Sequence, residues 1–515
     1  MSNSPVKKTT TTTNPNPNPN PSLLAPIKTR TKTLSFSDNW FRDLLSPKHA
    51  SPRRKMMQQQ FNHHHHKNSD PDLSAIAKGL HSLTLHPPAP DHTSLLTDHL
   101  LLKIFSRLPA SQYVPNSLVC KRWLHLHGRL VQSVRVSDWS FVNSGRVFSR
   151  FPNLTSIDIV RAGIRTPQNS SSIVATDKSL SVPLGTRFSP DGFLGGSDLL
   201  PSGMVDQGLG LIAKWYPNLR RIAVIGAGED GLVSVSSNCD ILQEMELHCC
   251  GDFSLKGISG CRNLQVVKLI GCVFGFYNSV VSDIGLTILA QGCRRLVKLE
   301  LCGCEGSYDG IKAIGQCCQM LEELTVCDHR MDGGWLAALS FCGNLKTLRL
   351  QSCKSIDVSP GPEEHLWSCP ALEELHLEKC QMRDKQAVKA LFLVCQTVKE
   401  IVLQNCWGLE DEVFATVGVC RRVRLLSLEG CSALTTGGLE SVILNWKELQ
   451  ELRVVSCNKI KDVEVSPALA SLFSDLKELK WRPDSRSFLS SSLEGTGVGN
   501  KGAKFFKRSK LESFT

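Results

Sequence analysis

Cysteine is the most chemically versatile residue of this sequence, with 21 copies in 515 residues. Thiolates bind metals, attack electrophiles and form disulfides. Four consecutive histidines at 63–66 add a second group of potential metal ligands. The spacing of these residues has to decide between metal binding, redox chemistry and packing.

Most of the cysteines follow one recurring frame, C-x-x-L-x-x-L-x-L-x-x-C. Eight stand three residues before a recurring apolar residue: Cys239, Cys261, Cys293, Cys318, Cys342, Cys369, Cys395 and Cys420. Eight more stand eight residues after it: Cys250, Cys272, Cys304, Cys353, Cys380, Cys406, Cys431 and Cys457. Where the first cysteine is missing the sequence has Phe151, Tyr216, Trp446 or Phe473, so the position requires an apolar side chain. Zinc sites use cysteines two to four residues apart, and we therefore predict packed, reduced thiols and no metal site.

The recurring apolar residue also defines a repeat. After Leu219 its copies follow one another at steps of 22 to 32 residues, whereas the step from Leu154 to Leu219 is 65 and must contain an insertion or a degenerate repeat. Segments such as 205–213 and 281–290 place apolar residues three and four apart, which predicts one helix in each repeat. Because one strand and one helix cannot bury their apolar sides alone, the units must stack. The predicted fold is an α/β leucine-rich-repeat solenoid, a horseshoe with parallel strands inside and helices outside.

A different apolar pattern precedes the repeats, in residues 95–130. Six apolar residues there mark one broad helix face: Leu96, Leu100, Leu101, Ile104, Phe105 and Leu108. Thr97 or Asp98 can cap this helix, and Pro109 ends it. A second predicted helix carries Leu118, Val119, Trp123, Leu124 and Leu126. The sequence thus predicts a small all-α unit.

The order of these residues, with Leu100-Leu101, then Ile104 to Pro109, then Val119 to Trp123, resembles an F-box. Together with the cysteine-bearing repeats, it makes the chain similar to the plant-type F-box/leucine-rich-repeat family, the substrate receptors of Skp–cullin–F-box ubiquitin ligases. The resemblance implies a Skp-type adaptor as a partner and, through the adaptor, a cullin. The residues that it implies carry the adaptor contact or support that contact are Leu96, Leu100, Leu101, Ile104, Phe105, Leu108, Val119, Cys120 and Trp123. We expect Ile104, Phe105 and Trp123 to be too large for such short helices to bury. Thr97, where the family usually has Pro, and Pro115, inside the second helical region, depart from the family pattern.

The resemblance implies that the repeats present a target protein for ubiquitination. The family also includes hormone receptors that hold a small molecule and an inositol phosphate. A ligand-gated receptor and a scaffold that binds the adaptor without ubiquitination are therefore the alternative functions. No P-loop, G-x-S-x-G, H-E-x-x-H or kinase motif is present in the sequence, so we expect an adaptor subunit with no catalytic residues and no cofactor.

Strand alternation predicts that residues two, four and six past each recurring apolar residue face inward. Six glutamates share the first of these positions and are the candidate substrate-binding residues: Glu244, Glu323, Glu374, Glu400, Glu451 and Glu478. They could form an acidic groove for a Lys- or Arg-bearing protein segment. Equally, inward-facing basic residues could convert the row into a salt-bridged surface: Lys268, Lys298, Arg349 and Arg453. Cys302 and Cys327 fall at the third inward position and are expected to be exposed, unlike the other cysteines.

The charge distribution argues against nucleic-acid binding. The net charge is +11, but residues 1–90 carry 12 Lys and Arg against 4 Asp and Glu, and residues 482–515 carry 7 against 3. The part between them is therefore nearly neutral, whereas a nucleic-acid-binding domain carries its positive charge on the folded surface.

The predicted organisation has four parts. They are a mostly disordered basic region at 1–90, an F-box at 91–142, a solenoid at 143–484 with an insertion at about 163–200, and a disordered basic tail at 485–515. The histidines at 63–66 lie in a Gln/His/Lys-rich stretch that favours a linker over a metal site. Trp40 and Phe41 mark an amphipathic segment that either docks a partner or folds back. With no stretch of 18 apolar residues and no secretory signal, we expect an intracellular protein of the nucleus or cytoplasm without membrane contact.

Overall fold

The computed structural model describes residues 92–165, 174–175, 180–181, 198–271, 281–331 and 333–484. The chain divides into two units after Leu95. Of the first unit only the 3-10 turn His92–Leu95 is described. The predicted disordered region at 1–90 with its Trp40–Phe41 segment, the tail at 485–515 and Cys272 all lie outside the described residues.

The second unit begins with three short helices, and we call residues 96–130 the helical unit. The helices are α1 (Asp98–Phe105), α2 (Tyr113–Ser117) and α3 (Lys121–Leu130), with a 3-10 turn at Ala110–Gln112. Thr97 caps α1, because its Oγ1 accepts a hydrogen bond from the Leu100 N–H at 3.4 Å. The expectation of one second helix is wrong: Leu118 and Val119 lie in the turn between α2 and α3. Pro115 fits because it lies in the first turn of α2, where no intrahelical N–H bond is lost.

Within the described residues, thirteen parallel strands form one sheet, and each strand pairs with the next sheet strand along the chain. The strands are β1 (Ser133–Arg135), β2 (Ser156–Asp158), β5 (Arg221–Ile225), β6 (Glu244–His248), β7 (Val266–Ile270), β8 (Lys298–Cys302), β10 (Glu323–Cys327), β12 (Thr347–Gln351), β13 (Glu374–Glu378), β14 (Glu400–Gln404), β15 (Leu425–Glu429), β16 (Glu451–Val455) and β17 (Glu478–Arg482). The predicted solenoid boundary at 143 is too late, since the sheet already begins at Ser133. β2 pairs directly with β5, so the long step between Leu154 and Leu219 is an insertion and not a degenerate repeat with its own strand in the sheet.

Four two-residue strands lie outside this sheet. In the predicted insertion β3 (Val174–Ala175) pairs antiparallel with β4 (Leu180–Ser181), and an antiparallel bridge joins Ile164 to Leu199. β9 (Glu305–Gly306) pairs parallel with β11 (Arg330–Met331). Residues 166–173, 176–179 and 182–197 of the insertion lie outside the described residues.

The connections between successive sheet strands are helical in most repeats. The α-helices are α4 (Ser140–Asn143), α5 (Arg146–Arg150), α6 (Ser202–Trp215), α7 (Glu229–Asn238), α8 (Asp283–Gly292), α9 (Tyr308–Cys317), α10 (Trp335–Ala338), α11 (Lys385–Val394), α12 (Asp411–Phe414), α13 (Thr436–Ile443) and α14 (Pro467–Asp475). Short 3-10 helices supplement or replace them at Arg161–Gly163, Asp252–Ile258, Leu339–Phe341, Glu363–His365, Ala415–Val419 and Asp462–Glu464. Both helices predicted from apolar spacing are present, as α6 and α8. This is the α/β leucine-rich-repeat solenoid expected from the sequence.

The second and fourth residues of each five-residue strand point into the core, as Leu348 and Leu350 of β12 show with no exposed surface. The residue after most strands has a positive φ, and six of these residues are not glycine: Cys249, Asp328, Ser352, Lys379, Asn405 and Ser456. This left-handed residue turns the chain so that the next residue, often the second cysteine of the frame, enters the core.

The frame cysteines are packed as predicted, and each described one is buried. Their thiols donate hydrogen bonds to backbone carbonyls of the preceding repeat, as Cys380 does to Leu350 O at 3.3 Å and Cys369 to Cys342 O at 3.4 Å. Burial raises the pKa of Cys304 to about 12. Such thiols stay protonated at neutral pH and stabilise the stack as small apolar groups.

An aspartate at the start of one helix also caps the helix of the next repeat. Asp283 in α8 accepts hydrogen bonds from the Ser307 N–H at 2.8 Å, the Ser307 hydroxyl at 2.6 Å and the Gly310 N–H at 2.9 Å. Asp252 binds Ser282 and Gly285 in the same way one repeat earlier. These bonds satisfy helix N–H groups that would otherwise lack a partner, and they fix the spacing between repeats.

Candidate partner-binding surfaces

The core of the helical unit is small. Leu101, Phe105 and Leu126 are its buried apolar residues, with Trp123 packed edge-on against Phe105 at 4.7 Å between ring centroids. The imidazole of His127 stacks on the ring of Phe105, with 4.2 Å between the ring centroids. The expectation that Phe105 is too large to be buried is therefore wrong, because α3 covers it. Leu101 and Phe105 support the surface of the unit and do not form it.

The outer surface of the unit is carried by other members of the predicted set. Leu100 and Ile104, one turn apart on α1, are each 46% exposed, and Val119 is 60% exposed. Leu118, which the predicted set omitted, is 66% exposed. We call these four residues the exposed apolar set. Apolar side chains left in water on a unit whose core is already filled are typical of a protein interface.

The remaining predicted residues hold the unit together. Leu96, Leu108 and Trp123 are partly buried against the core. Cys120 is the N-cap of α3, and its sulfur accepts the Trp123 N–H at 3.4 Å. The Cys120 side chain thus has a capping role that neither its apolar character nor the resemblance predicted.

Two arginines position the helices. Arg122 of α3 contacts the Asp98 carboxylate at 2.7 Å and the Leu96 carbonyl at 2.6 Å, which ties α3 to the start of α1. Arg150 of α5 donates to the carbonyl of Leu124 and links α3 to the first repeats. Burial, together with the charge of Arg150, lowers the pKa of His127, so its ring is neutral in the core.

The second surface is the sheet face formed by the first, third and fifth residues of each strand, which we call the open face. The strand register places all six predicted glutamates in one row, as expected. Only Glu374–Glu400 and Glu451–Glu478 are direct neighbours within it. Val266 and Lys298 separate Glu244 from Glu323, and Leu425 separates Glu400 from Glu451. The row is therefore not a continuous acidic stripe.

Basic side chains neutralise most of this row. Lys298 lies 2.8 Å and Arg349 3.1 Å from the Glu323 carboxylate, and Arg349 also reaches Glu374 at 3.8 Å. Burial alone would raise the pKa of Glu323, but Lys298 and Arg349 outweigh it and hold the pKa below its usual value.

The same pattern occurs at both ends of the row. Arg453 lies 3.1 Å from Glu451 and 3.3 Å from Glu478, and Arg221 lies 3.7 Å from Glu244. The geometry thus favours the salt-bridged surface over a purely acidic groove.

Glu400 is the exception in the row, since it makes no ion pair with any residue that the structure describes. Partial burial raises its pKa, and the carboxylates of Glu374 and Glu451 raise it further. Its neighbours on β15 are Leu425 and Ser427, which offer no positive charge. Glu400 is the member of the row best placed to accept a cation from a partner.

The open face contains a depression of about 510 Å³ across β5 to β12. Thirteen residues, charged ones of both signs among them, line it: Arg221, Glu244, Met245, Glu246, Val266, Val267, Lys268, Lys298, Glu300, Glu323, Thr325, Arg349 and Gln351. Such a surface suits a polar protein segment whose charges alternate in sign.

Cys302 and Cys327 occupy the third inward position, as expected, but their expected exposure is wrong. They are 5% and 9% exposed and pack with Ile270. They are register partners on β8 and β10, and their sulfurs lie within 4.8 Å of one another and of a Glu300 carboxylate oxygen. The sequence contained a signal for this cluster, because both cysteines stand six residues past the recurring leucine of adjacent repeats.

Comparison with known proteins gives distant relatives. No family model matches the sequence. The chain is 25% identical over 230 residues to the F-box/LRR-repeat MAX2 homolog of Oryza sativa subsp. japonica, which covers 43% of this chain and 30% of that protein. It is 26% identical over 162 residues to a Caenorhabditis elegans protein with a provisional RNA-binding name, which covers 30% of this chain and 21% of that protein. The chain thus spans less than a third of either relative and is similar to F-box/leucine-rich-repeat proteins at a distance.

Solved structures similar to this chain include a Listeria monocytogenes internalin, with 18% identity, a TM-score of 0.35, and 53% of this chain and 71% of that chain covered. A TLR13–ssRNA13 complex has 12% identity and a TM-score of 0.38, and the match covers 73% of this chain and 54% of that chain. The plant peptide hormone receptor RGFR1 in complex with RGF2 has 14% identity and a TM-score of 0.25, and the match covers 53% of this chain and 49% of that chain.

Among the described residues, no helix combines the length and the apolar character that a membrane-spanning helix requires.

Proposed function

We propose that this chain is the substrate-recognition subunit of a Skp–cullin–F-box ubiquitin ligase of the plant type. In this proposal the helical unit binds a Skp-type adaptor, and the adaptor binds a cullin. The open face of the solenoid binds the target protein. The observation that carries the proposal is the exposed apolar set on a helical unit whose own core is already filled.

The energetics of the exposed apolar set support an adaptor interface. Fully burying a Leu, Ile or Val side chain contributes about 1.5–3 kcal/mol. Leu100, Ile104 and Val119 all remain about half exposed or more in the free chain, so a partner that covers them gains roughly half of this contribution from each. Interface energy concentrates in a few such side chains.

The contribution of this chain to ubiquitin transfer would be proximity. Holding an acceptor group of the target protein next to a ubiquitin-conjugating enzyme that carries ubiquitin raises the effective concentration of the reacting groups. The proposal therefore assigns this chain no catalytic residue and leaves the transfer chemistry to its partners.

The adaptor interface is tested by pull-down of a Skp-type adaptor and a cullin with the full chain. We expect Ile104→Ala with Val119→Ala to lower adaptor capture by more than about tenfold, since two interface side chains each contribute 1 kcal/mol or more. The matched control is Trp367→Ala, which removes a side chain that is 70% exposed on the solenoid. Circular dichroism must show that all variants fold. Equal capture by the double variant and the control would contradict the assignment.

The substrate surface is tested by reversing charge on the open face. Glu374→Lys with Glu400→Lys places two positive charges on the open face, one of them next to Arg349, and should weaken target capture without changing adaptor binding, because like charges oppose a partner's cations. The control is Glu363→Lys with Glu412→Lys, an equal charge change at exposed residues outside the sheet. Targets are the proteins that accumulate on the chain only under proteasome inhibition. Unchanged target turnover with the first pair would move recognition away from the open face.

A ligand-gated receptor is the second candidate, because the depression has the volume of a small-molecule pocket. Its basic residues Lys268, Lys298 and Arg349 are already paired with Glu300 and Glu323, which disfavours an inositol phosphate. Inositol hexakisphosphate should therefore leave the melting temperature unchanged, and a clear rise would favour the receptor. A reconstituted ligase that captures targets but transfers no ubiquitin would favour the scaffold function.

A further inference from the structure

The cysteines of this chain fall into two chemically different groups. Thiols of the repeating frame donate to backbone carbonyls, as Cys304 does to Leu269 O and Cys353 to Val326 O, each at 3.7 Å. Cys302 and Cys327 instead have side-chain partners. Cys302 Sγ lies 3.6 Å from Glu300 Oε1, and Cys327 Sγ lies 3.3 Å from Gln351 Oε1. These two thiols are therefore not committed to the backbone of the stack.

We propose that Glu300, Cys302 and Cys327 form a binding site for one zinc ion on the open face, with a water molecule as the fourth ligand. The three ligand atoms lie within 4.8 Å of one another. In a tetrahedral zinc site, Zn–S bonds of about 2.3 Å and Zn–O bonds of about 2.0–2.2 Å place sulfur and oxygen ligands roughly 3.5–3.8 Å apart. The 3.6 Å between Cys302 Sγ and Glu300 Oε1 already has this value.

The backbone holds the two cysteines in register. Cys302 ends β8 and Cys327 ends β10, and these strands are directly paired, so both side chains leave the same face of the sheet. Adjacent strands lie about 4.8 Å apart, and only side-chain rotation is needed to bring the sulfurs to ligand distance. Glu300, two residues before Cys302 on the same strand, points to the same face.

The donor set selects the metal by its chemistry. Two thiolates and one carboxylate suit Zn²⁺, whereas Mg²⁺ and Ca²⁺ prefer oxygen ligands alone and Cu(I) prefers sulfur. The site is partly sheltered, because the cysteines are 5% and 9% exposed. Glu300 lines the depression, and the depression is the route by which the metal would enter from solvent.

Lys268 provides charge balance. Its Nζ lies 3.2 Å from Glu300 Oε1, and a carboxylate has lone pairs enough for both an ammonium and a metal. Zinc binding would release one proton from each thiol, so Zn²⁺ replaces two protons and the net charge of the cluster stays the same. The zinc site is thus independent of the proposed charge recognition of a target, and either can fail alone.

The proton release gives the site a pH dependence. Protons therefore compete with zinc, and the apparent zinc affinity should rise with pH.

The test is metal content of the full, reduced chain after equilibration with Zn²⁺ and desalting. We expect one zinc per chain in the wild type and none at the site in Cys302→Ser with Cys327→Ser. Glu300→Gln should weaken zinc affinity by more than about tenfold, since even outer ligand partners contribute that much. The matched control Cys317→Ser removes a partly exposed cysteine on α9 and should keep the metal.

Cobalt provides a readout that does not depend on a variant folding. Co²⁺ added to the wild-type chain should give the intense near-ultraviolet absorption of thiolate-to-cobalt charge transfer, and Zn²⁺ should abolish it. A second control replaces the histidine run with His63→Asn, His64→Asn, His65→Asn and His66→Asn. Zinc that survives the double cysteine variant but not the histidine variant would overturn the proposal, as would a wild-type chain without thiolate-bound cobalt.

Discussion

The helical unit and the repeats solve the same burial problem differently. In the repeat around β12, Leu345, Leu348, Leu350, Cys353 and Ile356 are all nearly without exposed surface, because the repeats on either side cover them. The helical unit has three fully buried apolar side chains and leaves the exposed apolar set in water. A repeat is completed by its neighbours in the chain, whereas the described residues leave the exposed apolar set of the helical unit uncovered.

Polar groups show the same contrast. Carbonyls and helix N–H groups between repeats are bonded by thiols and aspartates, such as Cys380 and Asp283. Among the described residues, the short helical unit has four buried side-chain atoms without a hydrogen-bond partner: Asn116 Nδ2, Trp123 Nε1 and both ring nitrogens of His127. The much longer solenoid has five: Trp139 Nε1, His248 Nδ1, His329 Nε2, Trp446 Nε1 and Arg453 Nε. A buried polar atom without a partner destabilises a fold, so we expect the helical unit to open more readily than the solenoid.

The largest effect is expected at the core of the helical unit. Phe105→Ala removes the ring that contacts both Trp123 and His127 and should destabilise the unit by about 3–5 kcal/mol. Native-state hydrogen exchange should then show residues 96–130 unprotected while the solenoid strands stay protected. Ile104→Ala, on the exposed side of the same helix, should leave protection unchanged. Loss of protection throughout the solenoid in the Phe105 variant would show that the two regions fold as one.

A core leucine of the solenoid should come next. Leu350→Ala is expected to lower the free energy of unfolding by about 2–5 kcal/mol, because neighbouring repeats cannot collapse around the cavity. Chemical denaturation measures it. The control Val358→Ala changes a side chain that is 68% exposed in the next loop and should stay within about 0.5 kcal/mol of wild type. Similar values for both variants would contradict the burial pattern.

The aspartate cap should have an intermediate effect. Asp283→Ala removes the acceptor of three hydrogen bonds from Ser307 and Gly310 and should cost about 0.5–2 kcal/mol, the range for lost helix caps. Asp309→Ala, at an exposed first-turn position of α9, is the control and should change stability less. Equal losses would mean that general helix–charge interactions explain the stability better than the bonds between repeats.

The smallest effect compares two glutamates of the open face. Glu323→Gln loses its ion pairs with Lys298 and Arg349 and should lower stability at pH 7, whereas Glu400→Gln removes a like-charge contact and should raise it. Each change is expected to be roughly 0.2–1 kcal/mol. Thermal denaturation at low and at high salt measures both, and the difference should shrink as salt screens the charges.

The pH dependence of the two variants should have opposite signs. The pKa of Glu323 is lowered by folding, so its stabilising contribution is present above its ordinary pKa and is lost as the pH falls through the lowered value. The pKa of Glu400 is raised by folding, so its carboxylate costs stability above that value and the cost disappears as the pH falls through it. If the two variants shifted the stability profile in the same direction, the assigned ion pairs would be wrong.

The repeating elements were predictable because their physical cause is local and periodic. A leucine at fixed spacing can be buried only if strands stack in register, and the frame cysteines follow from the same constraint. The Glu row was predictable in position for this reason. Whether its charges were balanced was not, because Arg349 and Arg453 each reach carboxylates on two different strands.

The helical unit was predicted less completely. Apolar spacing gave a helix face but could not tell which side of it α3 would cover, so Phe105 was wrongly expected at the surface. The turn at Leu118 and Val119 was missed because their apolar character suggests a continuous helix. The Cys120 cap depends on the backbone geometry at the start of α3, which a residue type alone does not specify.

The sequence by itself determined the class of fold, the order of its two regions and the inward-facing positions, since hydrophobic periodicity and strand alternation depend only on spacing along the chain. Only the tertiary structure decided which of those positions are buried, paired or free. Burial of Cys302 and Cys327, their approach to Glu300 and the lack of an ion pair between Glu400 and any described residue each depend on side chains from neighbouring strands about 25 residues away in the sequence. Contacts of this kind are set by distance in space, which the linear spacing of residues does not contain.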